Sequence, residues 1–198
     1  MTALLKTTQI QEPSSATVNI TLDSSGGTSV NSIQGTIING TVNSGGTSPF
    51  PSSGGPTSVL FTGIPSWAKR VTVMFTQFST SGTSAPQIQI GSGSLTTSGY
   101  LGYGQNLTVT PASSATAAST GWILQAGSAS NSIFGMFTIA LFTTNTWVIS
   151  GVVNNASTTS SFLNGSVVIG GALDRVNITT VNGTDTFDAG SINISYQG

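Results

Sequence analysis

Arg70-Val71-Thr72-Val73-Met74-Phe75-Thr76-Gln77-Phe78 is the stretch on which the fold turns. Val71, Val73 and Phe75 fall on one side of an extended chain, the period of a strand with one face in a core. The pattern recurs on both sides of it. Val59-Leu60-Phe61-Thr62 is a short strand ended by Gly63 and Pro65, and Gln87-Ile88-Gln89-Ile90 follows Pro86. Trp122-Ile123-Leu124 is a further apolar segment, and residues 132–143 form a long run rich in Phe and Ile. After a turn at Thr144-Asn145 come Thr146–Val153, Ser166–Ile169, Arg175–Thr179 and Ser191–Tyr196. Turn residues punctuate the series at Gly82, Gly91-Ser92-Gly93, Asn154-Asn155, Asn164-Gly165, Gly170-Gly171 and Asn182-Gly183. About eight or nine short strands at such spacing indicate an all-β sandwich or barrel, most simply a jelly roll. No segment carries a helical period; Pro111–Thr120 is small and polar and reads as a loop.

The chain divides at Ser48-Pro49-Phe50-Pro51-Ser52-Ser53-Gly54-Gly55-Pro56, whose prolines and glycines read as a linker. Residues 57–198 are expected to form a β-sandwich knob. Residues 1–56 hold too few large apolar side chains for a core of their own and are expected to be an extended attachment arm that adds strands to, or threads onto, another chain. Thr17-Val18-Asn19-Ile20-Thr21-Leu22 alternates like a strand. Leu5, Ile10, Val18, Ile20 and Leu22 are the side chains expected to make the attachment.

Composition excludes several classes of function. The 198 residues include four basic and five acidic side chains, no Cys and no His. Without Cys there is neither a disulfide framework nor a thiolate metal site. Without His the commonest general base and zinc ligand are missing. Lys6, Lys69, Arg70 and Arg175 cannot build the basic surface that nucleic acid requires. The longest apolar run, Ile133–Phe142, is about half the roughly 20 residues of a spanning helix, so no membrane insertion is expected. The start, Met1-Thr2-Ala3-Leu4-Leu5-Lys6, lacks the basic-then-apolar order of a secretory leader, so export is not expected. The 37% hydrophobic content argues against disorder. Net charge near zero gives a free monomer little protection against association and suits a subunit of an assembly.

Reactive constellations are sparse. Asp185 and Asp188, in Gly183-Thr184-Asp185-Thr186-Phe187-Asp188-Ala189-Gly190, read either as a carboxylate pair or calcium ligands, or as a loop whose carboxylates accept backbone N–H groups. The loop reading is preferred because the spacing of a calcium loop is absent. Asp174 beside Arg175 marks an exposed strand entry. No Ser sits in a nucleophile elbow, and Gly91-Ser92-Gly93-Ser94 has neither the Lys nor the helix of a phosphate loop. No catalytic residue, cofactor or metal is expected. Aromatic side chains offer the best binding case. Trp122 and Trp147 sit in apolar strands and read as core. Trp67, Lys69 and Arg70 are candidate surface contacts, and so are Tyr100 and Tyr103 in the loop-like Tyr100-Leu101-Gly102-Tyr103-Gly104.

Thr62-Gly63-Ile64-Pro65-Ser66-Trp67-Ala68-Lys69-Arg70-Val71-Thr72-Val73-Met74-Phe75 resembles a module of tailed-bacteriophage and prophage structural proteins. So does the end, from Leu173-Asp174-Arg175-Val176-Asn177-Ile178-Thr179 through Asn182-Gly183-Thr184-Asp185 to Ser191-Ile192-Asn193-Ile194. The start, Leu5-Lys6-Thr7-Thr8-Gln9-Ile10-Gln11-Glu12-Pro13 to Leu22, resembles the attachment segment of phage fibre or decoration proteins. The resemblance implies a non-enzymatic virion structural protein, a head decoration (cement) protein or short head fibre. A tail-fibre subunit that binds a host surface glycan or receptor is the alternative. It also implies a homotrimer, with phage capsid or tail proteins as partners, located in the virion after assembly in the host cytoplasm. No catalytic residues come with it.

Overall fold

The computed structural model describes residues 9–10, 20–22, 28–30, 42–43, 47–108, 115–116, 119–155 and 159–198. Two compact units divide the chain, Met1–Asn39 and Gly40–Gly198. The first contains β1 (Gln9–Ile10), β2 (Ile20–Leu22) and β3 (Thr28–Val30), an antiparallel sheet in that order. Ile10 lies opposite Ile20, and Ile20 opposite Val30. Of the expected attachment residues, Ile10, Ile20 and Leu22 are therefore in strands, while Leu5 and Val18 lie outside the described residues.

The second unit is a two-sheet β-sandwich, and the described residues contain no helix. Its strands are β4 (Val42–Asn43), β5 (Ser58–Thr62), β6 (Arg70–Thr80), β7 (Pro86–Ser92), β8 (Ser94–Leu95), β9 (Leu101–Thr108), β10 (Ala115–Thr116), β11 (Trp122–Ile123), β12 (Ile133–Thr143), β13 (Thr146–Asn155), β14 (Thr159–Val168), β15 (Arg175–Thr180) and β16 (Phe187–Gln197). The large sheet runs β10-β9-β14-β13-β12-β6-β16-β4. The small sheet runs β11-β7-β15-β5, with β8 paired to β7. Strands β5, β6, β7, β9 and β11 alternate between the two sheets in chain order. The departure is β12-β13-β14, a meander of neighbours that stays in the large sheet.

Inward positions of both sheets meet in one core. Val71, Val73 and Phe75 are buried as their alternation requires, together with Phe137, Ile139, Trp147, Ile149, Ile192 and Ile194 of the large sheet. The small sheet contributes Ile88, Ile90, Trp122, Val176 and Ile178. Inside β6 the buried positions pass from Phe75 to Phe78, three residues on, so one extra residue must be absorbed. Gln77 absorbs it at φ 51°, a conformation uncommon for a side chain other than Gly. Gly190, at φ 74°, lies against that bulge, and a Cβ there would strike the Gln77 backbone. Bulges of this kind bend a strand and re-aim its side chains. Phe78 then meets Phe187 edge-to-face, with ring centroids 4.8 Å apart.

The Pro-rich stretch 48–56 reads as a linker but runs along β16. Thr47 N–H donates to Ile192 O and Phe50 N–H to Gly190 O, both at 2.8 Å, and Phe187 N–H donates to Pro56 O at 2.8 Å. Phe50 packs edge-on against Phe78 and Phe187. The stretch thus belongs to the compact unit that begins at Gly40.

Candidate functional site

Trp67, Lys69 and Arg70 stand together where the chain enters β6. A turn closed by Ala68 N–H to Pro65 O (2.9 Å) buries Ala68 and leaves Trp67 about half exposed against Tyr196, with ring centroids 5.8 Å apart. The Lys69 backbone is held on both sides: its N–H donates to Gln197 O at 2.7 Å, and its carbonyl accepts from Leu141 N–H at 2.8 Å. Its ammonium donates to Ser66 O at 3.4 Å. Arg70 begins β6 and is exposed. The exposed Trp67 indole, packed against Tyr196, suits a sugar ring, whereas Arg70 alternates with the buried Val71 that Tyr196 opposes and so lies on the outer side of the large sheet.

Tyr100 is not a surface contact. The Gly-rich run around it reads as a loop, but Leu101–Thr108 is strand β9 and Tyr100 is 3% exposed. Its hydroxyl accepts from Ile90 N–H at 2.7 Å and donates to Ile90 O at 3.3 Å. Its ring packs edge-on against Trp122, with centroids 5.0 Å apart. Burial pushes its pKa up to about 12, against a smaller opposing effect of the Ile90 hydrogen bond. The correction has a physical reason. Gly102 and Gly165 face each other across β9 and β14, and the Trp122 indole lies on them. These glycines accommodate an aromatic layer and do not mark a turn.

Tyr103 does point outward and is 71% exposed. Its strand is four places from β6 in the sheet, about 19 Å at the usual strand spacing. Trp67, Lys69 and Arg70 are thus neighbours along the chain at the entry to β6, and Tyr103 lies apart from them. Trp122 and Trp147 are core, as their apolar strands suggest.

Two of the described carboxylates, Asp185 and Asp174, tie loops together. Asp185 accepts from Ser84 N–H at 2.9 Å and from the Asn182 amide at 2.8 Å. This ties the turn before β16 to the one before β7. Asp188 is already inside β16. Asp174 forms a two-point contact with Arg175 (2.7 and 3.1 Å) and accepts from Gly93 N–H at 3.0 Å. The Arg175 hydrogen bond lowers the Asp174 pKa, and the Gly93 amide assists. This pair pins the β7–β8 hairpin, the Gly91–Ser94 segment, to the start of β15. Ser161, a fully buried hydroxyl, donates to the side-chain oxygen of Asn106, an amide that cannot take up its proton. Among the described residues no group of three or more His, Cys, Asp or Glu side chains could hold a metal ion, and no helix is long and apolar enough to cross a membrane.

The two outer faces differ sharply. On the small sheet Gln87, Gln89 and Asn177 point away from the core yet are buried. Gln89 donates to Thr120 O (2.9 Å), Asn177 donates to Gln89 (3.1 Å), and the Thr120 hydroxyl donates to Gln87 (3.1 Å). The chain itself covers this face over β7 and β15, while Leu60 on β5 stays exposed. On the large sheet the outward positions of β9, β12 and β14 are open and include Leu101, Met136 and Phe162. One sequence signal points to this face: Ile133-Phe134-Gly135-Met136-Phe137 is apolar in both phases of the strand period, so its second face cannot be the core.

No family model, no curated protein and no solved structure matches the chain.

Proposed function

We propose that this chain is a non-enzymatic structural protein of a tailed-phage particle, decorating or projecting from the capsid as a short fibre or cement protein. The observation that carries the reading is the character of the open sheet face. Across β9, β14, β13, β12 and β6 the described residues include one charged side chain, Arg70, amid hydroxyls, amides and exposed apolar groups. Hydroxyls and amides can be buried against a partner, when hydrogen-bonded, at far smaller desolvation cost than charges. Such a surface suits permanent contact. The resemblance at Thr62–Phe75 and Leu173–Ile194 supplies the kind of particle. Among the described residues Asp174 and Asp185 hold loops and Asp188 stands apart in β16, an arrangement that favours a role in assembly over hydrolysis.

A second reading has its own observation. The exposed Trp67 indole, packed against Tyr196, favours a tail-fibre subunit that holds a host surface glycan. Counting decides between the two. Quantitative peptide mass spectrometry on purified particles should find this chain in numbers comparable to the major capsid protein. A count comparable to tail-fibre subunits supports the second reading. Absence from the particle overturns both.

A further inference from the structure

We infer that the outer face of the large sheet is a self-association surface that packs against a second copy of this chain. Strand register places Met74 opposite Met136, Met136 opposite Val152, and Val152 opposite Phe162, an unbroken apolar row across four strands. A parallel row carries Thr72, Thr138, Ser150, Asn164 and Tyr103, all able to give and accept hydrogen bonds. Leu101, Tyr103 and Met136 are 70%, 71% and 55% exposed.

Two arguments select a second copy as the occupant. The first is charge. Arg70, at the end of β6, is the one ionised group of these five strands. A partner with an ordinary charged surface would have to desolvate its ions against this face without counter-ions, which costs several kcal/mol for each buried ion. An identical face brings hydroxyls, amides and apolar rows to meet their own kind, as a self-complementary contact requires. A net charge of −1 also leaves two copies with almost no repulsion between them. The second is size. Five strands at about 4.8 Å spacing, crossed for about eight residues each, present roughly 600 Å² per copy. Two such faces reach the lower end of the 1,200–2,000 Å² or so buried in stable complexes. The continuous apolar row within it is the kind of exposed patch that marks an interaction site. The inference does not rest on the phage assignment: particle counting tests that, and solution mass tests this.

The test uses the full chain. Met136→Glu and Phe162→Glu place a charge in the centre of the face at positions exposed enough to tolerate it. Leu60→Glu does the same on β5 of the small sheet and is the control. Sedimentation velocity over a concentration series should find wild type and Leu60→Glu as multimers. The two face variants should be monomers, with dissociation constants raised by about 100-fold or more and cooperative unfolding kept. A wild-type monomer throughout, or face variants that associate like wild type, overturns the proposal. Crosslinking guards against a variant that fails to fold. The chain has no Cys, so Ser150→Cys on this face reports only itself. A short bismaleimide should join Ser150→Cys chains into covalent dimers and leave Ser58→Cys chains single. Absence of the Ser150→Cys crosslink also overturns the proposal.

Discussion

Tyr100 shows how a single residue ties the two sheets together and what that costs at high pH. Its ring stacks edge-on against Trp122 and its hydroxyl closes on the Ile90 backbone, so the phenol is held neutral inside the core. Its pKa rises to about 12 from the ordinary 10.0, so the folded chain keeps a proton that the unfolded chain releases. The contribution is fully present below about pH 10 and is lost as pH rises toward 12. The slope is about 1.4 kcal/mol per pH unit, roughly 2–3 kcal/mol in all. Tyr100→Phe should lose about 1–3 kcal/mol at neutral pH, because the buried Ile90 amide loses an acceptor. Its stability should then decline less steeply than wild type between pH 10 and 12. Urea unfolding midpoints at stepped pH check both. Parallel decline in the two proteins would contradict the account. The Tyr100 environment was not legible in the sequence, because burial by a partner strand more than twenty residues away leaves no local pattern.

At the scale of elements, the strands that could be read are those whose alternation is set by the core. Val71, Val73 and Phe75 of β6 are of this kind, while the long β12 run is read from its apolar content. The ones missed are those whose composition answers to a neighbour. β9 reads as a loop because its glycines lie beneath an indole. The Pro-rich stretch 48–56 reads as a linker because proline and glycine mask Phe50, whose ring the Phe78–Phe187 pair receives. Gly165 gives a direct check. A Cβ there would meet Trp122 Nε1 at 2.7 Å and the Leu101 carbonyl oxygen. Neither can yield easily, since one is a core aromatic and the other is backbone. Gly165→Ala should therefore destabilise the fold by about 1–3 kcal/mol, an overpacking cost. Gly170→Ala, with open space around its Cβ, should change little. Denaturant unfolding of the two variants side by side distinguishes them, and equal stability would show that β9 and β14 do not carry the Trp122 layer as described.

For the whole molecule, composition was more informative than motifs. The scarcity of charge in the sequence reappears as an almost charge-free outer face across β9, β14, β13, β12 and β6. The candidate contacts were only partly legible. Trp67, Lys69 and Arg70 are close in sequence, whereas Met136 and Phe162 come together only through the register of β12, β13 and β14. The central claim is that the chain works by association through an uncharged surface. Ion pairs weaken as salt shortens the screening length from about 10 Å at 0.1 M to about 3 Å at 1 M, but contacts between hydroxyls, amides and apolar groups do not. Multi-angle light scattering of the purified full chain at 0.1 M and 1 M sodium chloride tests the claim most directly. The predicted result is the same multimeric mass at both. A monomer at both salts, or a multimer that dissociates in 1 M salt, would contradict it.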